Sequence, residues 1–91
     1  MKITRLMVAE LNAELRTMGC PFRYRFEEER YSYSNPRIEI ILPSMNYVDS
    51  FMVHPTEEFF TWLYAWFEAK GIELSCNNTG SILWSKNGWD L

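Results

Sequence analysis

The run of residues 59–67 constrains the fold more than any other part of the chain. Every position in it except Thr61 and Ala65 carries a large aromatic or aliphatic side chain. In a helix the run places phenylalanines and a leucine on one face, tryptophans on one flank and a tyrosine on the other. A surface helix of a small domain has an apolar stripe a little over about 100° wide, and this one is about twice that. The sequence therefore predicts a helix that is buried on nearly all sides or keeps an aromatic edge for a partner.

The residues around this run predict a helix over residues 55–70. Pro55 is well suited to the first helical position, and Glu57 and Glu58 lie near the positive end of the helix dipole. Gly71 follows the last turn, where glycine commonly ends a helix.

An earlier helix is predicted over residues 4–18. Its apolar residues recur every three or four positions, the spacing of one helix face: Ile3, Met7, Leu11, Leu15 and Met18. Gly19 supplies a helix end, and Pro21 prevents the helix from continuing.

Alternating apolar and polar residues predict the strands. The first strand begins at Phe22 with aromatic residues on even positions, whereas Tyr31 and Tyr33 fall on odd ones. The acidic stretch 27–29 must therefore hold a bulge or a turn, and we favour a bulged long strand. A second strand covers residues 37–42 and ends at Pro43.

Three further strands complete the pattern. Residues 46–53 form a third strand by the same alternation, but the pattern shows less clearly which of its side chains face the core. Residues 72–76 and 81–85 form a C-terminal hairpin around the turn at 77–80, which is rich in residues that tolerate positive φ. The element order is helix, three strands, helix, two strands. It predicts one α+β domain over residues 1–91, a two-layer sandwich with both helices on one face of a mainly antiparallel sheet.

Charge and composition exclude several classes of protein. The net charge of −3 argues against direct nucleic-acid binding, which depends on lysine and arginine. No apolar run approaches the ~20 residues that span a bilayer. Two cysteines, Cys20 and Cys76, without a secretory signal indicate reduced thiols and a cytoplasmic protein.

No reaction is specified by a motif. His54, the one histidine, lacks the further ligands that a metal site needs. Cys76, His54 and Asp49 have the residue types of thiol catalysis, but Cys76 shares the phase of apolar strand residues and is expected to be buried. We therefore predict no enzyme, no metal and no cofactor.

The element order of residues 3–70 resembles that of the double-stranded RNA-binding domain. In that family the second helix begins with a basic cluster that grips phosphates. The matching positions here, Pro55-Thr56-Glu57-Glu58, are acidic. This resemblance implies topology and not RNA binding.

In general character the chain also resembles the anti-CRISPR proteins, small phage inhibitors of bacterial defence nucleases. The shared features are a short, acidic, aromatic-rich domain and the lack of a catalytic motif. Many of those proteins occupy a basic nucleic-acid groove or an assembly surface. The resemblance implies an inhibitor and carries over no residues.

The leading expectation is a noncatalytic protein-binding module, and more narrowly an inhibitor that occupies a basic or assembly surface of a nucleic-acid-binding defence protein. An aromatic edge would supply affinity and acidic residues would steer association. The predicted binding residues are Trp62, Trp66, Trp89, Glu27, Glu28 and Glu29. The tryptophans need not be exposed for a partner. It is an equal alternative that the C-terminal tail wraps back and that Trp89 and Leu91 cover the helix edge. The alternative function is a self-associating structural or regulatory domain, for example a homodimer. Less favoured are a domain like the double-stranded RNA-binding domain and a small thiol enzyme.

Overall fold

The computed structural model describes residues 1–28, 35–41, 55–78 and 80–88. Within these ranges the chain forms two helices and four strands. In chain order they are α1 (Arg5–Thr17), β1 (Arg23–Glu27), β2 (Arg37–Ile41), α2 (Glu57–Glu68), β3 (Leu74–Cys76) and β4 (Ile82–Ser85). The predicted α+β class and the order of these elements are confirmed. The predicted strand at 46–53 lies outside the described residues. Of the stretch 27–29, where a bulge is predicted, Glu27 pairs regularly with Arg37, and Glu29 lies outside the described residues.

Side-chain caps begin both helices. The hydroxyl of Thr4 accepts a hydrogen bond from the Met7 amide at 3.2 Å, and that of Thr56 accepts one from the Phe59 amide at 3.0 Å. Threonine is a favoured N-cap because its oxygen satisfies an amide that has no partner within the helix. The expectation that Pro55 is the first helical residue is wrong, since Pro55 precedes the cap at Thr56.

The four strands form one antiparallel sheet in the order β1-β2-β4-β3. The predicted C-terminal hairpin, β3 and β4, joins the rest of the sheet through β4, which pairs with β2. In the described part of the chain, β3 therefore lies at one edge of the sheet.

The two helices pack on the same sheet face and enclose one core. Tyr24 lies opposite Ile40, and Ile38 lies opposite Leu83, which places these four side chains on the helix face. The buried core residues contributed by the helices are Val8, Leu11, Leu15, Leu63 and Phe67. Helix contacts run from α1 to β1 and from α2 to β3.

Part of the predicted core assignment needs correction. In α1 the buried face includes Val8, which is 4% exposed and is not part of the predicted apolar spacing. Met18, which is part of that spacing, is the C-cap residue and is 54% exposed. Met18 follows Thr17, the last residue of α1, so its side chain lies past the end of the buried helix face. Phe26, Phe59 and Phe60, which lie on apolar faces predicted from the sequence, are only partly buried.

The opposite sheet face carries a charged cluster. Glu39 is 5% exposed, and its carboxylate lies 3.4 Å from the Arg25 guanidinium and 3.2 Å from that of Arg37. Two arginine partners offset the cost of burying the carboxylate. Ile41, which lies on this same face, is fully buried. Neither of the two described helices has the length and apolar character to cross a membrane.

Gly80 provides a test of how α2 packs on the β3–β4 turn. Its φ is +73°, and a Cβ added there would lie 2.8 Å from Cζ of Phe60. We expect Gly80→Ala to cost more than the ~1–2 kcal/mol that a left-handed conformation alone costs a residue with a Cβ. Gly19→Ala is the matched control, since Gly19 has the same φ and nothing within 4 Å. Urea denaturation of both variants measures the difference, and equal losses would contradict the contact with Phe60.

Tyr24 provides a second test, within the core. The side chain is 1% exposed, and its hydroxyl has no hydrogen-bond partner among the described residues. Burial also raises the pKa of Tyr24 far above its usual value. Because an unpaired buried hydroxyl is unfavourable, we expect Tyr24→Phe to raise the free energy of unfolding by roughly 1 kcal/mol. A loss of stability in urea denaturation would show that the hydroxyl has a partner.

Candidate protein-binding surfaces

The two helices lie antiparallel and meet along a seam. Lys70 near the end of α2 lies 2.9 Å from Glu10, and one turn along, the indole of Trp66 reaches Glu14. Farther still, Trp62 and Met18 line the same hollow. The flank of α2 that carries the two tryptophans therefore faces α1.

Trp66 is held in this seam on several sides. Its indole Nε1–H donates to the Glu14 carboxylate. The Lys70 ammonium lies 4.6 Å from its ring centroid, and its ring packs edge-to-face with Phe67 at 4.9 Å. Hydrogen bond, cation–π contact and aromatic packing are thus all made within the chain. This side chain joins the helices.

Trp62 has fewer partners. It is half-buried and packs against Phe59 with 5.8 Å between ring centroids. Within the described residues its indole N–H makes no hydrogen bond. It lines an open hollow of about 400 Å³ whose other residues are Ala13, Glu14, Thr17 and Met18. With Met18 exposed beside it, Trp62 has contact area left for a partner.

The opposite flank of α2 borders the edge strand β3. Tyr64 lines three neighbouring hollows there, of about 570, 460 and 240 Å³. Phe60 lines two of them. The Tyr64 hydroxyl donates to Cys76 Sγ at 3.4 Å, which connects α2 to β3 between the hollows. We call this concave region, between residues 57–68 on one side and residues 73–78 with Gly80 on the other, the α2–β3 groove.

Trp84, the third tryptophan in the described part of the chain, does not extend the edge formed by Trp62 and Trp66. Trp84 lies opposite Arg37 and Ser75 in the sheet register, on the face away from the helices, and is half-buried there. A single patch that includes Trp84 is therefore excluded. Trp89, and with it the alternative of a tail that wraps back, lies outside the described residues.

The predicted acidic residues are partly neutralised by arginines. Glu27 forms an ion pair with Arg25, and Glu28 lies 3.4 Å from Arg5. Glu29 lies outside the described residues. Exposed ion pairs of this kind add little stability, but they reduce the local negative charge that would attract a basic partner.

Of the three residues considered for thiol chemistry, only Cys76 lies in the described part of the chain. Cys76 is exposed, contrary to the expected burial, because it ends a three-residue strand beside a turn. Both cysteines are free thiols, and His54 and Asp49 lie outside the described residues. Over the described ranges no three histidine, cysteine or acidic residues come close enough to hold a metal ion.

Sequence reasoning overlooked Tyr64 and Phe60 as surface residues. The sequence pattern places Phe60 with the other phenylalanines on the main apolar face of the helix, and Tyr64 on one flank of it. The signal that could have found them is the width of the apolar sector itself, since both of its flanks extend beyond what the sheet covers.

Tyr64 gives a pH-dependent test of the contact with Cys76. Burial, together with the hydrogen bond to Cys76, raises the pKa of Tyr64 to about 12, from about 10 in an unfolded chain. Between these values the unfolded chain releases the proton while the folded chain keeps it, so stability falls as pH rises. We expect the free energy of unfolding, measured by urea denaturation, to fall less from pH 9.5 to pH 12 in Tyr64→Phe than in the wild type. The tyrosinate absorbance of Tyr64 itself is the difference between the absorbance of the wild type and that of the variant. If this difference rises with a midpoint near pH 10, the contact with Cys76 is contradicted.

Comparison with protein-family models, with curated proteins and with solved structures finds no match for this chain.

Proposed function

We propose that the protein is a noncatalytic protein-binding module and that Trp62 is the anchor of its binding surface. The observation that carries the proposal is the hollow of about 400 Å³ at the end of the helix seam. It combines a half-buried tryptophan without a hydrogen-bond partner in the described chain and an exposed methionine.

The chemistry of this hollow suits protein recognition. Tryptophan is among the residues that contribute most to binding energy when a partner removes them from water. Methionine adapts its shape to different apolar surfaces. Glu14 and Thr17 add a polar rim, which resembles the usual arrangement of an apolar centre with polar surroundings.

Trp66 has a different role in this proposal. Its indole is engaged by Glu14 and Lys70, so its substitution would disturb the seam before it affects a partner. We therefore assign Trp66 to positioning α1 and α2, and Trp62 to contact with the partner.

The narrower expectation, an inhibitor steered toward a basic surface of a bacterial defence protein, stays a prediction. Its support from the residues 27–29 is reduced by the ion pairs of Glu27 and Glu28 with arginines. A steered complex would associate more slowly as salt increases, and the rate of association with a captured partner would measure this.

The test compares what the wild-type chain and Trp62→Ala retain from a host lysate. We expect Trp62→Ala to retain at least tenfold less of a specific partner than the wild type does. Its free energy of unfolding should fall by no more than about 2 kcal/mol, because the side chain removed is only half-buried. Quantitative mass spectrometry measures retention, and urea denaturation measures stability.

Two variants complete this experiment. Leu6→Glu is the matched surface control, since Leu6 is 69% exposed on α1 away from the hollow, and it should retain the partner. Met18→Glu should lose it, because a carboxylate enters the apolar centre. If all three variants retain the same proteins as the wild type, the hollow is not the binding surface. A wild-type chain that sediments as a stable dimer, dissociated by Met18→Glu, would favour self-association instead.

A further inference from the structure

The edge strand β3 has backbone groups that point away from the sheet. Glu73 accepts from the Lys86 amide, and the Asn77 amide donates to Ile82. In an antiparallel ladder such hydrogen-bonded pairs alternate with non-hydrogen-bonded ones. Leu74 and Cys76 are in the non-hydrogen-bonded positions opposite β4, so their N–H and C=O groups point outward. Among the described strands, none lies on that side of β3.

The α2–β3 groove lies next to this edge of the described sheet. Its floor is aromatic, from Phe60 and Tyr64, and it continues past Tyr64 to Ile72 and Leu74. A strand edge beside an apolar groove is the arrangement in which an extended peptide adds a strand through backbone hydrogen bonds and places alternate side chains in the groove.

The charge of the groove selects the kind of peptide. Glu57, Glu68 and Glu73 line its hollows, and Lys86 is the one basic residue among the described residues that line them. Lys86 lies 3.6 Å from Glu73, whereas Glu57 and Glu68 have no basic partner in the described chain. An arginine or lysine on the peptide would meet unpaired carboxylates and aromatic faces.

We propose that the α2–β3 groove binds an extended segment of a partner protein that carries arginine or lysine, and that this segment joins the sheet as a strand beside β3. Two outward-pointing residues offer up to four backbone hydrogen bonds. The basic side chain lies over Tyr64 toward Glu68. An interface this small belongs to the weak, transient class. This inference does not depend on the hollow at Trp62.

The experiment titrates the full ¹⁵N-labelled chain with three synthetic eight-residue peptides. The first alternates arginine with valine, the second replaces arginine with glutamate, and the third places proline at alternate positions to remove backbone N–H donors. With the arginine peptide we expect amide shifts centred on Leu74, Cys76 and Tyr64. Hydrogen exchange at the Leu74 and Cys76 amides should slow at least tenfold near saturation, while the Ser75 amide, already bonded to β4, changes little.

Specificity is the next readout. Both other peptides should bind at least tenfold more weakly than the arginine peptide. The glutamate peptide is repelled by the carboxylates of the groove, and the proline peptide lacks backbone N–H groups needed for strand pairing. Equal binding of the proline peptide would overturn strand addition. Equal binding of the glutamate peptide would overturn the basic partner.

Variants locate the site on the chain. Cys76→Pro removes an outward N–H without removing a bond to β4, and should abolish binding. Because this variant could unfold β3, the second test alkylates Cys76 with N-ethylmaleimide in a Cys20→Ser background, where circular dichroism checks the fold and blocked binding is expected. Leu6→Glu is the control that should bind as the wild type does.

Two results would overturn the proposal as a whole. One is the lack of any shift at β3 with the arginine peptide at millimolar concentration. The other is a set of β3 shifts that depends on the concentration of the chain alone, which would assign the edge to a second copy of this protein.

Discussion

The fold depends on how the wide apolar sector of α2 is covered, because a helix packed on a sheet buries only one side of itself. Leu63 and Phe67 face the sheet and are fully buried, each worth about 1.5–3 kcal/mol. The flanks need separate cover. α1 covers the tryptophan flank, and β3 with the turn at Gly80 covers part of the tyrosine flank. Both candidate binding surfaces lie where this cover ends.

On the tryptophan flank the limit is set by the length of α1. Where α1 runs beside α2, Glu10 and Glu14 engage Lys70 and Trp66, and the seam closes with charged groups at the water boundary. α1 ends at Thr17, so no further turn is present to cover Trp62. The hollow beside Trp62 and the well-packed Trp66 thus have the same cause, a helix that ends one turn too early to enclose both rings.

The sequence predicted what depends on local pattern, and missed what depends on distant neighbours. Apolar periodicity, glycine ends and alternation are local signals, and they identified α1, α2 and the C-terminal hairpin. Strand order is non-local, so the placement of Trp84 on the far face and of β3 at an edge could not be read from the pattern. Glu39 illustrates the same limit. Alternation alone assigns it to an outward face beside Arg37, but only the register with β1 shows that Arg25 also lies close enough to help bury its carboxylate.

On the tyrosine flank the cause is a mismatch between two lengths. α2 has 12 residues and is about 18 Å long at 1.5 Å per residue. β3 has three residues and extends about 10 Å at 3.3 Å per residue. Among the described residues, a strand this short leaves both ends of the helix flank uncovered, with Tyr64 and Cys76 in contact near the middle. Phe60 partly fills one end because Gly80 has no side chain to exclude it. An added strand of greater length would cover what β3 leaves open, so the geometry that limits the core also makes the edge suitable for an extended partner.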